Sequence, residues 1–339
     1  MNTPNTPTYL RVVATTRCNM ECKYCHMEGD PQQAGTATEL GTDELCTLLG
    51  IAVRGGVRKL KFLGGEPFMR RDLPQVIRHV RTLAPDLDIS AITAGALPER
   101  VLHEAFEAGL SRVNMSIHGF DFPAFEQRGG RLKMWHDRKR FLAALLATGR
   151  PVKLNYVLSG VGAREDLGVL LDAAAHWPAV ISVLDDLNDP HAGPGHVIAT
   201  VEALRGPADE RFVVPDPDSL ATTHLRWHDG LEVEIKDQRL GDIAPYGACL
   251  TCPTRSQCRE GILALRLLHD GRLQPCLDRP DLALDLVGIL RRQGEAAALE
   301  AWRAYGDLAD RHASGLAPYG RSRDAFGDLS DLGDAACAA

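Results

Sequence analysis

Six short apolar runs, with a helix-like stretch between each and the next, constrain the fold of this chain more than any other feature. Residues 10–16, 57–63, 87–93, 112–117, 152–158 and 180–184 read as strands. Between them, residues 42–53, 71–83, 98–108, 138–148 and 166–175 carry apolar side chains at helical spacing, with Thr42 or Asp43 placed to cap the first. Buried strands that alternate with helices run parallel, because a tight hairpin joins only antiparallel neighbours. Six such units predict an α/β fold, a partial (β/α)6 TIM-like barrel with both sheet faces covered. In such barrels the chemistry sits at the carboxyl ends of the strands.

The loop that leaves the first strand carries three thiols, Cys18, Cys22 and Cys25. Three thiolates hold three corners of a cubane iron-sulfur cluster and leave the fourth iron open, which makes a reaction centre. Zinc is the rival reading, but it normally gathers four ligands. The nearest fourth donor, His26, adjoins Cys25 and is badly placed for tetrahedral ligation. Three unrelated buried thiols are the plain alternative. Of the nine cysteines in the chain, four more, Cys249, Cys252, Cys258 and Cys276, fall late. Four thiols suit zinc or a second cluster equally well. Cys46 lies in a helix-like apolar segment and reads as core, and Cys337 lies in an Ala-rich tail. A chain of 339 residues with a cytosolic address has no need of a disulfide framework.

The net charge of −7 and the absence of a dense basic patch argue against nucleic acid as a partner, while a local basic pocket for a small anion is compatible with an acidic protein. No apolar run is long enough to span a bilayer, and residues 1–8 lack the pattern of a signal peptide. A cytoplasmic protein without membrane attachment is expected. Residues 185–218, rich in Pro, Gly, His and Asp, are a poor candidate for continuous secondary structure and read either as a cover for the barrel mouth or as an ordinary irregular connection. The expected organisation is a barrel core over 1–218 and a cysteine-rich region with a helical or flexible tail over 219–339.

Cys-x3-Cys-x2-Cys with Tyr24 before the last cysteine, directly after a first strand, resembles the signature of the radical S-adenosylmethionine enzymes. In that family the open iron takes the amino and carboxylate groups of S-adenosylmethionine, and an electron from the cluster cleaves it to methionine and a 5'-deoxyadenosyl radical. Gly64-Gly65-Glu66-Pro67 at the end of the second strand is, on its own, a tight turn with a carboxylate. Beside the cysteine loop it resembles the family motif that holds the amino group of the cofactor. The resemblance also implies that Tyr24 packs near the adenine and that Thr93, Ser116 and Asn155 are strand-end cofactor contacts. Ala94 stands where relatives often carry asparagine. Each of these polar residues has a plain reading as a partner for nearby backbone.

Closer similarity is to the GTP cyclase branch of molybdenum-cofactor biosynthesis. It implies that Arg11, Lys59, Lys61 and Arg266 contact substrate; the plain reading makes them surface charges. Residues 269–276 resemble the late Asp-Gly, cysteine-containing hairpin of that branch, which turns the four late cysteines toward an auxiliary [4Fe-4S] cluster. Four late cysteines where the cyclase has three, Ala264 in place of an arginine, and an Ala-Ala ending in place of paired glycines depart from the pattern. Radical enzymes of nucleoside antibiotic pathways fit better, a cytosylglucuronic acid decarboxylase among them. The expected activity is therefore that of an oxidoreductase or lyase that cyclises, couples or decarboxylates a nucleoside, nucleotide or sugar nucleotide in specialised metabolism. An external reductant such as flavodoxin or ferredoxin would supply the electron. Peptide maturation and a noncatalytic metal-binding role are the alternatives. Glu28, His118 and the pair Asp185 and Asp186 are further candidates for proton movement or polar substrate contacts.

Overall fold

The computed structural model describes residues 8–22, 25, 39–186, 195–214, 222–236, 252–253, 264–277 and 279–306. Its first half follows the expected rhythm. Strands β1 (Tyr9–Thr15), β2 (Lys59–Gly64), β3 (Asp88–Thr93), β4 (Arg112–Ser116), β5 (Val152–Leu158) and β6 (Ala179–Asp185) lie side by side in chain order and pair in parallel. Helices α1 (Thr42–Arg54), α2 (Leu73–Leu83), α3 (Arg100–Glu107), α4 (Phe122–Gln127), α5 (Leu132–Leu146) and α6 (Ala163–Ala174) occupy the crossovers. Short apolar runs bounded by turns become parallel strands here because the crossover helices bury one sheet face.

The other face, on the concave side of the partial barrel, is polar. In β5, Val152, Leu154, Tyr156 and Leu158 are buried and alternate with half-buried Lys153, Asn155 and Val157. Successive side chains of a strand point to opposite faces. The apolar set packs toward the helices, and the alternate set lines the concave face with polar groups. That face is covered by the curl of the sheet, so Arg11, Lys61, Ser90, Asn114 and Ser182 are all buried.

The sheet continues beyond the six parallel strands to twelve, in the order β12-β11-β10-β1-β2-β3-β4-β5-β6-β9-β8-β7. On one side β7 (Glu210–Val214), β8 (Thr222–Arg226) and β9 (Glu232–Lys236) form an antiparallel ribbon, with β9 parallel to β6. On the other, β10 (Leu265–Leu267) pairs in parallel with β1, and a hairpin leads to β11 (Arg272–Gln274) and β12 (Leu284–Asp285). Gly271, at φ 87°, makes the turn that residues 269–276 predicted. The last helix, α8 (Leu286–Gly306), kinks at Gly294 and returns to α1, where fully buried Trp302 packs under Gly55.

Two expectations need correction. Residues 185–218 are not uniformly irregular: α7 (His196–Arg205) and β7 form within them. Val197, Ile198 and Val201 supply one buried helical stripe, and Gly195 and Gly206, both at positive φ, bound it. Glycines that read as breakers along the whole segment therefore act as its punctuation. Likewise the helix expected from residue 138 begins at Leu132. It follows the separate α4, whose Asp121 accepts a hydrogen bond from the Ala124 N–H at 2.8 Å. Its first turns carry Lys133, His136 and Asp137, which mask the apolar period. No helix among the described residues is long and apolar enough to cross a membrane.

Candidate active site

The carboxyl ends of β1 to β4 converge on one edge of the barrel, and the backbone there is unusually close-packed. Gly65 N–H donates to Thr15 O at 2.9 Å, and Glu66 N–H to Arg17 O at 2.8 Å, so the glycine turn extends the pairing of β1 and β2 onto the root of the cysteine loop. Gly64 sits at φ 146°, and a Cβ there would lie 2.2 Å from Thr15 O. Only glycine permits that approach. Pro67 opens the short helical turn Pro67–Met69 that follows.

Glu66 is 1% exposed and is held by Thr93 Oγ1, which donates at 2.9 Å, and by the Ala94 N–H at 2.9 Å. The amide that an asparagine side chain would bring is absent, and the backbone of Ala94 does part of its work. Burial raises the Glu66 carboxyl to about 7, against the opposing hydrogen bonds from Ala94, Thr93 and Phe68. A buried carboxylate poised in this way gains from a cationic partner. Ser116 closes β4, but its register partner Asn155 lies in the middle of β5 and not at a strand end as expected; the two share the concave face. The structure brings Gly64, Gly65, Glu66, Pro67 and Thr93 into one knot, with Ser116 and Asn155 outside it.

Of the cysteine loop, Cys18, Cys22 and Cys25 are described, while Tyr24, His26 and Glu28 lie outside the described residues. Cys25 N–H donates to Cys22 O at 3.1 Å, and Asn19 Nδ2 ties the loop to Ala96 O after β3 at 2.8 Å. Burial raises the Cys22 thiol to about 12, with the thiols of Cys25 and Cys18 adding to the rise, so the three stand near one another. Among the described residues no three His, Cys, Asp or Glu side chains are grouped tightly enough for one metal ion. Three thiols sharing a loop and a buried carboxylate beside them match the donor set that an iron-sulfur cluster with a cationic ligand requires.

Both ends of that loop are anchored. Thr15 Oγ1 donates to Glu39, and Arg17 pairs with the same carboxylate at 3.2 Å. Buried Arg70 donates to Ala14 O, Leu40 O and Asp72 at 3.1, 2.9 and 2.9 Å. His118 Nδ1 lies 3.7 Å from Cys22 Sγ, and burial with Arg138 and Arg128 nearby keeps its ring neutral, at about 3. Asp185 is buried at the end of β6, and Asp186 accepts from Ser159 Oγ.

The expected substrate residues form a row. Arg266 on β10, Arg11 on β1 and Lys61 on β2 are register partners on the concave face, and Lys59 lies over the Tyr9 ring at 4.7 Å. Arg266 is completely buried. Lys61 is 8% exposed, and no carboxylate among the described residues pairs with it. Burial pulls its ammonium well below the ordinary lysine range, and Arg11, Arg112, Lys59 and Lys153 push the same way. Arg11, Lys61 and Arg266 are buried and so are not surface charges, Lys59 is half-buried, and a buried ammonium such as that of Lys61 favours an anion in the concavity. Sequence reasoning missed Lys153, Lys236, Glu234 and Ser182 on the same face. The alternation in β5 marks Lys153, and the strict alternation Glu-Val-Glu-Ile-Lys marks β9 as a half-buried strand carrying Glu234 and Lys236 on one face.

Of the late cysteines, Cys249 and Cys258 lie outside the described residues. Cys252 and Cys276 are half-buried, and both meet Arg279: its N–H donates to Cys276 O at 3.4 Å, and its guanidinium is hydrogen-bonded to the Cys252 thiol.

The sequence profile of the Radical SAM superfamily matches residues 12–173. A protein named probable GTP 3',8-cyclase from Methanococcus aeolicus is 30% identical over 298 residues, covering 83% of this chain and 89% of the relative. One of the same name from Methanococcus vannielii is 28% identical over 289 residues, covering 84% and 89%. Among solved structures, Streptococcus suis SuiB bound to S-adenosylmethionine superposes with a TM-score of 0.57 at 14% identity. That superposition covers 85% of this chain and 66% of SuiB, so the chain spans just under two thirds of that protein's length and the likeness is one of fold.

Proposed function

The chain belongs to the radical S-adenosylmethionine superfamily and is an enzyme that uses a [4Fe-4S] cluster with S-adenosylmethionine; from that premise we propose that it transforms an anionic nucleoside, nucleotide or sugar nucleotide held on the concave face of its barrel. The observation that carries this reading is Lys61, buried among cations with no carboxylate to pair with among the described residues. The relatives named for a GTP cyclase give the nucleoside class its support. Cyclisation, carbon-carbon coupling and decarboxylation all begin with the same hydrogen abstraction, and specialised metabolism is the proposed setting.

Cys18, Cys22 and Cys25 hold the cluster in this reading. Bound there, cluster and S-adenosylmethionine together supply the adenosyl radical that removes a substrate hydrogen atom. Glu66, fixed by Thr93 and Ala94, takes the cofactor's ammonium, and Gly64, Gly65 and Pro67 let its backbone approach. Tyr24, Ser116 and Asn155 hold the adenosyl part. Arg11, Lys59, Lys61 and Arg266 orient the substrate's acidic group, which fixes one C–H bond toward the strand ends and excludes water. Cys249, Cys252, Cys258 and Cys276 hold a second cluster, and a small electron carrier such as flavodoxin or ferredoxin reduces the first.

Anaerobic reconstitution tests this. About eight irons per chain are expected, with S-adenosylmethionine cleavage that disappears in Cys18→Ser and gains a product with one member of a nucleoside and nucleotide panel. Cleavage that no panel member alters or couples to product would overturn the substrate class. About four irons would overturn the second cluster.

A further inference from the structure

The concave face holds a second group of charges, opposite the row of Arg266, Arg11 and Lys61, and this group is internally neutralised. Glu234 on β9 is 5% exposed. Its register partners are Ser182 on β6 and His224 on β8. Ser182 Oγ donates to one carboxylate oxygen at 2.9 Å, Lys153 Nζ from β5 pairs with the other, and Lys236 Nζ lies 3.6 Å away. His224 Nε2 stands at 3.9 Å, with its Nδ1 engaged by Glu232 at 2.8 Å. Through Ser182 and Asn155, Glu234 lies in the same register row as Ser116, which closes β4.

Lys236 and Lys61 sit on strands separated by four others, β3, β4, β5 and β6. Even so, Lys61 and Lys153 contribute to the depression of the Lys236 ammonium, which burial brings to about 8 against the pull of Glu234. Lys61 alternates along β2 with the core residues Leu60 and Phe62, and Lys236 along β9 with Val233 and Ile235, so both side chains lie on the concave face and the curl of the sheet points them into one space. A polyanion entering it meets Arg11, Lys61 and Arg266 on one wall and, on the other, two lysines already occupied by a carboxylate.

We propose that Glu234 is a built-in counter-anion that limits the concave face to substrates bearing one acidic group, a carboxylate or a monophosphate, and turns away polyphosphates. The proposal rests on the nucleoside reading above and narrows it. The first acidic group pairs with the Lys61 wall. A second or third phosphate reaching toward Lys153 would displace Glu234 from its lysines or lie against it, and like charges at close quarters discriminate strongly between ligands. Protonation offers no escape at neutral pH. Burial alone would raise the Glu234 carboxyl, but Lys236, Lys153 and the Ser182 hydroxyl overcome it and bring it to about 2. Glu234 touches Lys153 and Lys236 and acts through them, as a specificity-determining residue.

The test is calorimetric binding to the reconstituted, anaerobic enzyme. The probes are guanosine, cytidine and uridine as free nucleosides, 5'-carboxylates, 5'-monophosphates and 5'-triphosphates. For the base that binds, the wild type is expected to prefer a carboxylate or monophosphate over the triphosphate by about tenfold or more, the factor one interaction of ordinary strength carries. The carboxylate and monophosphate arms identify which acidic group it takes. Glu234→Gln should erase or reverse that preference by tightening triphosphate alone, and Glu234→Asp should keep it. A wild type that binds triphosphate as tightly as monophosphate overturns the proposal whether or not the variants fold, as does a folded Glu234→Gln with an unchanged ratio. If no probe binds the wild type, the nucleoside reading falls and this proposal with it; if probes bind without discrimination, the nucleoside reading stands and only the proposal falls.

Discussion

Replacing Gly65 with alanine puts a Cβ 2.2 Å from the carbonyl oxygen of Arg17, 2.6 Å from its carbonyl carbon and 2.7 Å from Thr16 O. Cβ contacts essentially never fall under 3.0 Å, so the nearest one must open by at least about 0.8 Å, and every atom in the way is backbone. Arg17 O also accepts the Glu66 N–H at 2.8 Å, and Arg17 immediately precedes Cys18. The displacement therefore reaches the cysteine loop and the Glu66 turn at once. Overpacking of this kind costs about 1–3 kcal/mol, and half an ångström or more at a positioned site impairs function more than stability. We expect Gly65→Ala to fold with a lowered denaturation midpoint and to lose most S-adenosylmethionine affinity after anaerobic reconstitution. Gly50→Ala is the control. Its Cβ meets only Leu83 Cδ1, at 3.5 Å, inside helix α1, where alanine should stabilise by roughly 0.5–1 kcal/mol. Wild-type cofactor affinity in Gly65→Ala, with iron content unchanged, would refute the idea that backbone contact between the two loops sets the site.

Glu66 makes stability of the cofactor-free chain depend on pH. Its carboxyl, raised by burial to about 7 from an ordinary 4.5, favours the folded state most below pH 4.5, and that contribution is lost as pH rises through about 7. Denaturant titrations should show the loss, of order 3 kcal/mol, and Glu66→Gln should flatten it; an identical slope in the variant would count against the buried carboxyl as its source. Trp302→Ala, which empties a fully buried site between α8 and α1, should lower stability by about 3–5 kcal/mol in thermal or chemical unfolding. A change under about 1 kcal/mol would mean that α8 is not integral to the core.

The parallel core was legible because each of its strands carries an apolar run and each crossover a helical period, signals that need no knowledge of distant partners. The three thiols and the glycine turn were legible for a related reason: their spacing is local, and few other structures require it. What escaped were features decided across the sheet. β9 reads as alternating charge in isolation, and only pairing with β6 turns Glu234 inward toward Lys153. Lys61 is an ordinary surface lysine by composition and becomes a buried one because the sheet curls over it. The helix at His196–Arg205 was hidden by glycines whose positive φ ends an element as readily as it breaks one.

The pairing of β10 with β1 also fixes an order of events during synthesis. β1 leaves the ribosome before β2, which soon covers one of its edges. The other edge waits for residues 265–267, which emerge only after every other strand of the parallel core. Closing so long a loop is slow, and an uncovered strand edge invites association with other chains. Arg266 joins Arg11 only at that late step, so the row of cations on the concave face is incomplete in the nascent protein. A truncation before residue 264 would keep the cysteine loop and its glycine turn but leave β1 with a bare edge.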